Sequence, residues 1–207
     1  MTMTQSAVTN PPIHTLLQTR WSPRAFAPTP VAPAQILSLL EAARWSASAI
    51  NVQPWSFVVV PKDDEDAFAR LFGTLAEGNQ VWVQHVPLLV LAVAQQQREP
   101  GKPNPYALYD LGQAVAHLSI QATALGLYVH QMAGFNPDQA RSAFAIPEEY
   151  VPFTVIAIGT LGDPDALPEP LHTRELAERT RKPLGSFVFG GTWGQPTSLL
   201  ADVDQAA

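Results

Sequence analysis

The 207-residue chain contains no cysteine. Disulfides, thiolate nucleophiles, iron–sulfur clusters and cysteine-type zinc sites are thereby excluded together, so any redox chemistry has to come from a bound cofactor. Charge is also scarce: 14% of the residues are Asp, Glu, Lys or Arg, against about a quarter in ordinary soluble domains. So few charges point to surface hidden in an oligomer. The formal net charge is −6, and Lys and Arg form no block, which argues against nucleic acid or an anionic membrane as partner. No apolar run approaches the roughly 20 residues of a membrane-spanning helix. Residues 1–10 are polar and lack the basic and apolar regions of a secretory signal, so the cytoplasm is the expected location.

Several site signatures are missing too. No G-x-G-x-x-G follows a strand-like run and no G-x-x-x-x-G-K-[ST] occurs, so neither a Rossmann dinucleotide cleft nor a P-loop is encoded. There is no G-x-S-x-G elbow for a serine hydrolase. His14, His85, His117, His130 and His172 are scattered and none belongs to an H-E-x-x-H pair, so no metal site is expected.

What is present is a globular composition, 46% hydrophobic, of a length that suits one domain spanning residues 1–207. Residues 1–12 and 190–207 read as flexible or partner-embracing arms. The twenty prolines are spread over element boundaries rather than gathered in a linker. Ile13–Arg20 reads as a short helix, residues 20–32 as a proline-rich ordered loop, and Pro33 suits the first turn of a helix ending near Trp45. Ser56–Val60, Val86–Ala94 and Phe153–Gly159 are nearly continuous apolar runs, predicted as strands buried on both faces. Residues 63–75 and 137–145 carry helical patterns that would cover the sheet.

Tyr106–Gly126 is the longest predicted helix and has three stripes. Leu108, Leu111, Val115, Leu118, Ala122 and Leu125 form an apolar one, and Gly112, Ala116, Ser119 and Thr123 a small one that allows close approach of another helix. Asp110, Gln113, His117 and Gln121 form a polar one, either a solvated face or the border of a polar ligand or subunit.

Two local clusters carry chemistry. Arg20-Trp21-Ser22-Pro23-Arg24 sets two guanidinium groups and a hydroxyl within five residues of loop. They could wrap a phosphate monoester, although two nearby arginines are ordinarily solvated surface. Ser46–Trp55 is rich in small hydroxyl and amide residues able to hydrogen-bond a polar heterocycle, or simply to form a polar lead into a strand.

The succession R-W-S-P-R-A-F at 20–26, A-A-R-W-S-A-S-A-I-N-V-Q-P-W at 42–55, A-L-G-L at 124–127, A-G-F at 133–135 and R-T-R-K-P-L at 179–184 resembles the FMN-dependent nitroreductase family. The order and spacing of five motifs, from about Ile13 to Leu184, carry that resemblance. It implies an α+β fold with a mixed central β-sheet flanked by helices, in an intertwined homodimer with FMN at the interface. It further implies that NADH or NADPH reduces the flavin, which then reduces a small organic acceptor such as a nitroaromatic, quinone or activated alkene by a ping-pong hydride mechanism. Same-fold flavin chemistry of another kind (reductive dehalogenation, flavin fragmentation, azoline dehydrogenation) and a non-catalytic flavin-binding protein are the alternatives.

By the same resemblance Arg20, Trp21, Ser22 and Arg24 contact the flavin phosphate, ribityl chain and pyrimidine, and Ala47, Ser48, Ala49 and Asn51 reach the flavin from the other subunit. Asn79 faces the ring, Ala133 and Gly134 present backbone N–H groups near N5, and Arg179 and Arg181 return to the phosphate. Chemistry would then occur at the flavin rather than on a catalytic side chain, with Arg24 opposing the charge that develops on the reduced ring. Two positions depart from many relatives: Ala47 where proline is common, and Ala133 where some carry an acid. Trp193 reads either as a lid or as an anchor for the tail.

Overall fold

The computed structural model describes residues 6–201, which fall into two compact units. Arg20–Leu176 form the larger unit, and the described parts of Met1–Thr19 and Ala177–Ala207 form the other. Of the two expected arms, residues 1–5 and 202–207 lie outside the described residues.

The described part of the terminal unit contains α1 (Thr15–Thr19) and two single-turn 3-10 helices, Leu184–Ser186 and Ser198–Leu200. Gln18 links its segments: the side-chain amide donates to the Ala7 carbonyl at 2.9 Å, and the Gln18 carbonyl accepts from Arg179 Nη1 at 2.9 Å. Trp193 lies against Phe189 of the same tail, with ring centroids 5.0 Å apart.

The larger unit runs α2 (Pro33–Arg44), β1 (Trp55–Pro61), α3 (Glu65–Phe72), α4 (Glu77–Val83), β2 (Leu88–Gln95), β3 (Gln97–Glu99), β4 (Lys102–Pro103), α5 (Ala107–Ala124), β5 (Tyr128–Met132), α6 (Pro137–Ala143), β6 (Tyr150–Gly159) and α7 (Leu171–Leu176). Strands β3 and β4 make a small separate hairpin. The central sheet has the order β1-β2-β6-β5, and all three of its ladders are antiparallel. The α+β class and the helix-flanked sheet are as expected. Among the described residues no helix is long and apolar enough to cross a membrane.

Strands β2 and β6 are central, and their apolar runs are buried almost throughout because helices cover both faces. On one face Leu88, Val90, Ala92, Ala94, Ile156 and Ile158 meet α2 and α5. On the other, Leu89, Leu91, Val93, Val155 and Ala157 meet α3, α4 and α6. The period-two alternation of a strand thus feeds two cores from one run. Strand β1 corrects the sequence reading: it is an edge strand and only Val60 is fully covered.

In α5 the apolar stripe narrows to Leu111, Val115, Leu118 and Ala122, which are buried, while Leu108 is exposed. Replacing Leu118 with Ala, at 0% exposure in the α2–α5 layer, is expected to lower unfolding free energy by about 2–5 kcal/mol, read from denaturant titration.

Candidate active site

The Arg20–Ala27 segment lies along β5 and is held by its backbone. The Pro23 carbonyl accepts a hydrogen bond from His130 Nδ1 on β5 at 2.8 Å. Arg24 N–H donates to both carboxylate oxygens of Glu175 on α7 at 2.9 Å, and Ala25 N–H to one of them at 3.0 Å. The Ala25 carbonyl accepts from Gly162 N–H at 2.9 Å, and Ala27 N–H donates to the Thr160 carbonyl at 3.0 Å. Proline at position 23 removes one donor, and these bonds satisfy the backbone groups of Pro23 to Ala27 that they join, as a segment this close to the core requires. Gly162 is needed for that approach: a Cβ there would meet the Phe26 backbone at 2.6 Å.

Side chains of the segment divide between structure and surface. Phe26 stacks on Trp82 of α4 with centroids 6.0 Å apart, and Trp82 meets the His130 ring at 4.7 Å on its other contact. Trp21 packs edge-on against Tyr128, and its indole N–H is buried without an acceptor among the described residues. Arg20 Nη1 approaches Ser22 Oγ at 3.5 Å. Arg24 makes no salt bridge among the described residues. On the flank of the segment, Arg24, Phe26, Pro28, Trp82, His85 and Leu167 help line a cavity of about 400 Å³. The Trp82 indole N–H is likewise buried without an acceptor among the described residues.

Burial drives the His130 pKa from 6.5 to about 4, and the Arg24 charge adds to that, against the raising effect of the Pro23 and Ser22 backbone. A carbonyl only accepts, so neutral His130 carries its proton on Nδ1.

Strand β5 leads directly into Ala133 and Gly134. The Gly134 carbonyl accepts from Asn79 Nδ2 and from Ala76 N–H, each at 2.9 Å. A Cβ on Gly134 would come within 2.8 Å of Asn79 Nδ2. Three of the expected site residues are therefore joined here, with the Asn79 amide donating to the turn. Through β5 this turn is continuous with the strand that carries His130, the partner of Pro23.

The Ser46–Gln53 loop is anchored on the opposite face of the sheet. Asp110 of α5, 1% exposed, accepts from Ala49 N–H at 3.1 Å. Ser48 Oγ accepts from Gln53 N–H at 3.0 Å. Ile50, Asn51 and Gln53 adopt φ of 47°, 60° and 52°, and Ile50 is 80% exposed. Ile50 is thus a β-branched residue in the sparsely populated left-handed region, with its side chain in solvent. The polar stripe of α5 is not a solvated face throughout, since Asp110 anchors this loop and Gln121 donates to Ser38 of α2 at 3.0 Å.

Within one chain the expected residues thus form two groups. Arg20, Trp21, Ser22, Arg24, Asn79, Ala133 and Gly134 belong with β5 and α4, whereas Ala47, Ser48, Ala49 and Asn51 belong with α5. Arg179 and Arg181 are in the terminal unit, where Arg181 Nη1 donates to the Thr180 carbonyl at 2.7 Å. Sequence reasoning missed Glu175, and it gave His130 and Asp110 no anchoring role. A lone acid or histidine that serves a distant backbone group leaves no local pattern.

The sequence profile of the nitroreductase family matches residues 17–160. The chain belongs to that family. It is an oxidoreductase whose fold is shared with a solved oxidoreductase containing FMN, at 34% identity and a TM-score of 0.87, covering 95% of this chain and all of that one. A nitroreductase family protein from Clostridium difficile is 24% identical with a TM-score of 0.68, over 86% of this chain and 96% of that one, and shares the fold. An uncharacterised 15.4 kDa protein of Mycolicibacterium smegmatis is 35% identical over 132 residues, 64% of this chain and 88% of its own length.

Two outcomes are expected. Between pH about 6.5 and about 4 the unfolded chain takes up a proton that folded His130 refuses, so stability falls as pH falls through that window. The full loss is on the order of 3 kcal/mol, and unfolding titrations of His130→Gln should lack this component. Gly162→Ala should cost about 1–3 kcal/mol in thermal or chemical unfolding, because the atoms it meets are backbone and cannot rotate away.

Proposed function

We propose that this family member is an FMN-dependent oxidoreductase of the cytoplasm that uses NADH or NADPH to reduce a small organic acceptor. The observation that carries the reading is the Arg20–Arg24 segment itself. It is fixed by its backbone while Arg24 is left without a counter-ion among the described residues and Trp21 without an acceptor. A phosphate-bearing, acceptor-rich planar cofactor fits that donor set. The similarity to an oxidoreductase containing FMN over 95% of the chain supports the same cofactor.

FMN, when bound, supplies hydride transfer from the nicotinamide and onward to a nitroaromatic, quinone or activated alkene, one substrate at a time. The protein's residues bind and orient. Arg20 and Ser22 hold the phosphate and ribityl end. Arg24 places its cation at the pyrimidine end, where negative charge accumulates on reduction. The turn at Ala133–Gly134 offers backbone N–H groups instead of side chains, with Asn79 keeping the turn on α4. Ala133 adds no charge of its own to the pocket.

A second copy of the chain completes the site in this reading. The Ser48–Asn51 loop stands on the sheet face opposite the arginine segment, so one chain does not join them. Trp45 and Ile50 are 73% and 80% exposed, and Gly112 of α5 has open space where a Cβ would be, as a helix-to-helix contact between copies requires. Residues 6–12 and 190–201, as arms, would embrace that partner.

Purified protein is expected to show a flavin visible spectrum, to be bleached by NADH or NADPH without air, and to give parallel double-reciprocal plots with a quinone acceptor. A protein that stays colourless after incubation with FMN would refute the reading. Replacing both Arg20 and Arg24 with alanine should weaken FMN binding by several kcal/mol in sum, at about 1.5–3 for each charged hydrogen bond.

A further inference from the structure

We propose that Glu175 is the positioning residue of the arginine grip, setting the direction of Arg24 through the backbone rather than touching the ligand. This inference rests on the flavin reading above. Glu175 is 3% exposed, at the end of the short helix α7, and its carboxylate takes the N–H groups of two consecutive residues, Arg24 and Ala25. Two adjacent N–H donors converging on one carboxylate fix the peptide plane between them, and so fix the direction in which the Arg24 side chain leaves the chain. The other backbone anchors of the segment are neutral: His130 on Pro23, Gly162 on the Ala25 carbonyl, and Thr160 on Ala27. Glu175 alone among these brings a carboxylate to the amides at the arginine's own position.

Fixing that backbone in advance removes part of the ordering cost that a long, flexible arginine otherwise incurs when it meets an anion. In Glu175→Gln the amide –NH2 can face one of the two N–H donors, and the pair is no longer held by an anion. The grip loosens although no group expected to touch the ligand has changed.

The decisive experiment is a double-mutant cycle on the full-length protein stripped of flavin. FMN affinity is measured for wild type, Glu175→Gln, Arg24→Gln and the double variant, and amide hydrogen exchange at residues 24 and 25 is followed alongside. Glu175→Gln is expected to weaken FMN at least tenfold on its own but less than threefold when Arg24 is already Gln. It should also accelerate exchange at residues 24 and 25 at least tenfold, while β2 and β6 keep their protection. Equal losses in both backgrounds would make Glu175 a general structural residue and overturn the proposal, as would wild-type affinity in Glu175→Gln. Should Glu175→Gln fail to fold, Glu175→Asp, which keeps the charge on a shorter stem, takes its place in the cycle under the same criteria. Wild-type protein that binds no FMN at all would instead overturn the flavin reading, and is told apart because it appears before any substitution is made.

Discussion

In the proposed site Arg24 has to keep its cation available, so the segment that carries it has to be held by its backbone. Arg20–Ala27 meets that constraint with a histidine, a carboxylate, a glycine N–H and a carbonyl drawn from β5, α7 and the stretch just after β6. Each partner depends on the sheet. Strand β5 is held by β6, β6 by β2, and the two central strands by apolar cores on both faces. Packing energy far from the site is thereby converted into a fixed loop whose Arg24 stays available.

Neutral and charged anchors contribute differently. His130 is sandwiched against Trp82 and buried enough to stay uncharged at neutral pH, so it adds direction without adding repulsion next to Arg24. Glu175 supplies the opposite element, an acid beside the arginine's backbone. On the other sheet face Asp110 does comparable work for the Ala49 peptide. Two buried acids therefore each brace one of the loops that the family resemblance marks out, and neither is among the residues that resemblance assigns to the flavin.

Legibility in the sequence followed the strength of the physical signal. Strands β2 and β6 were readable because burial on both faces demands an unbroken apolar run, and α5 because eighteen residues give the helical period room to repeat. Strand β5 was not, since Tyr-Val-His-Gln-Met spends its alternate positions on an aromatic, a histidine and a methionine that face one layer. The short helices α4 and α7 carry too few turns to show periodicity. The run at β1 was readable as a strand but not as an edge, because an apolar stretch does not say how many neighbours it has.

The sequence by itself determined the family, the cofactor chemistry to expect and the arginine-bearing segment, because order and spacing of motifs survive without coordinates. It also determined that no thiol chemistry was available. Only the tertiary structure decided that Asn79 donates to the Gly134 turn, that the Asn51 loop stands on the opposite sheet face from Arg24, and that Glu175, His130 and Asp110 hold the two loops. The reason is physical: a backbone N–H or carbonyl accepts any suitable partner that comes within reach, and which distant side chain comes within reach is set by packing, not by a local pattern.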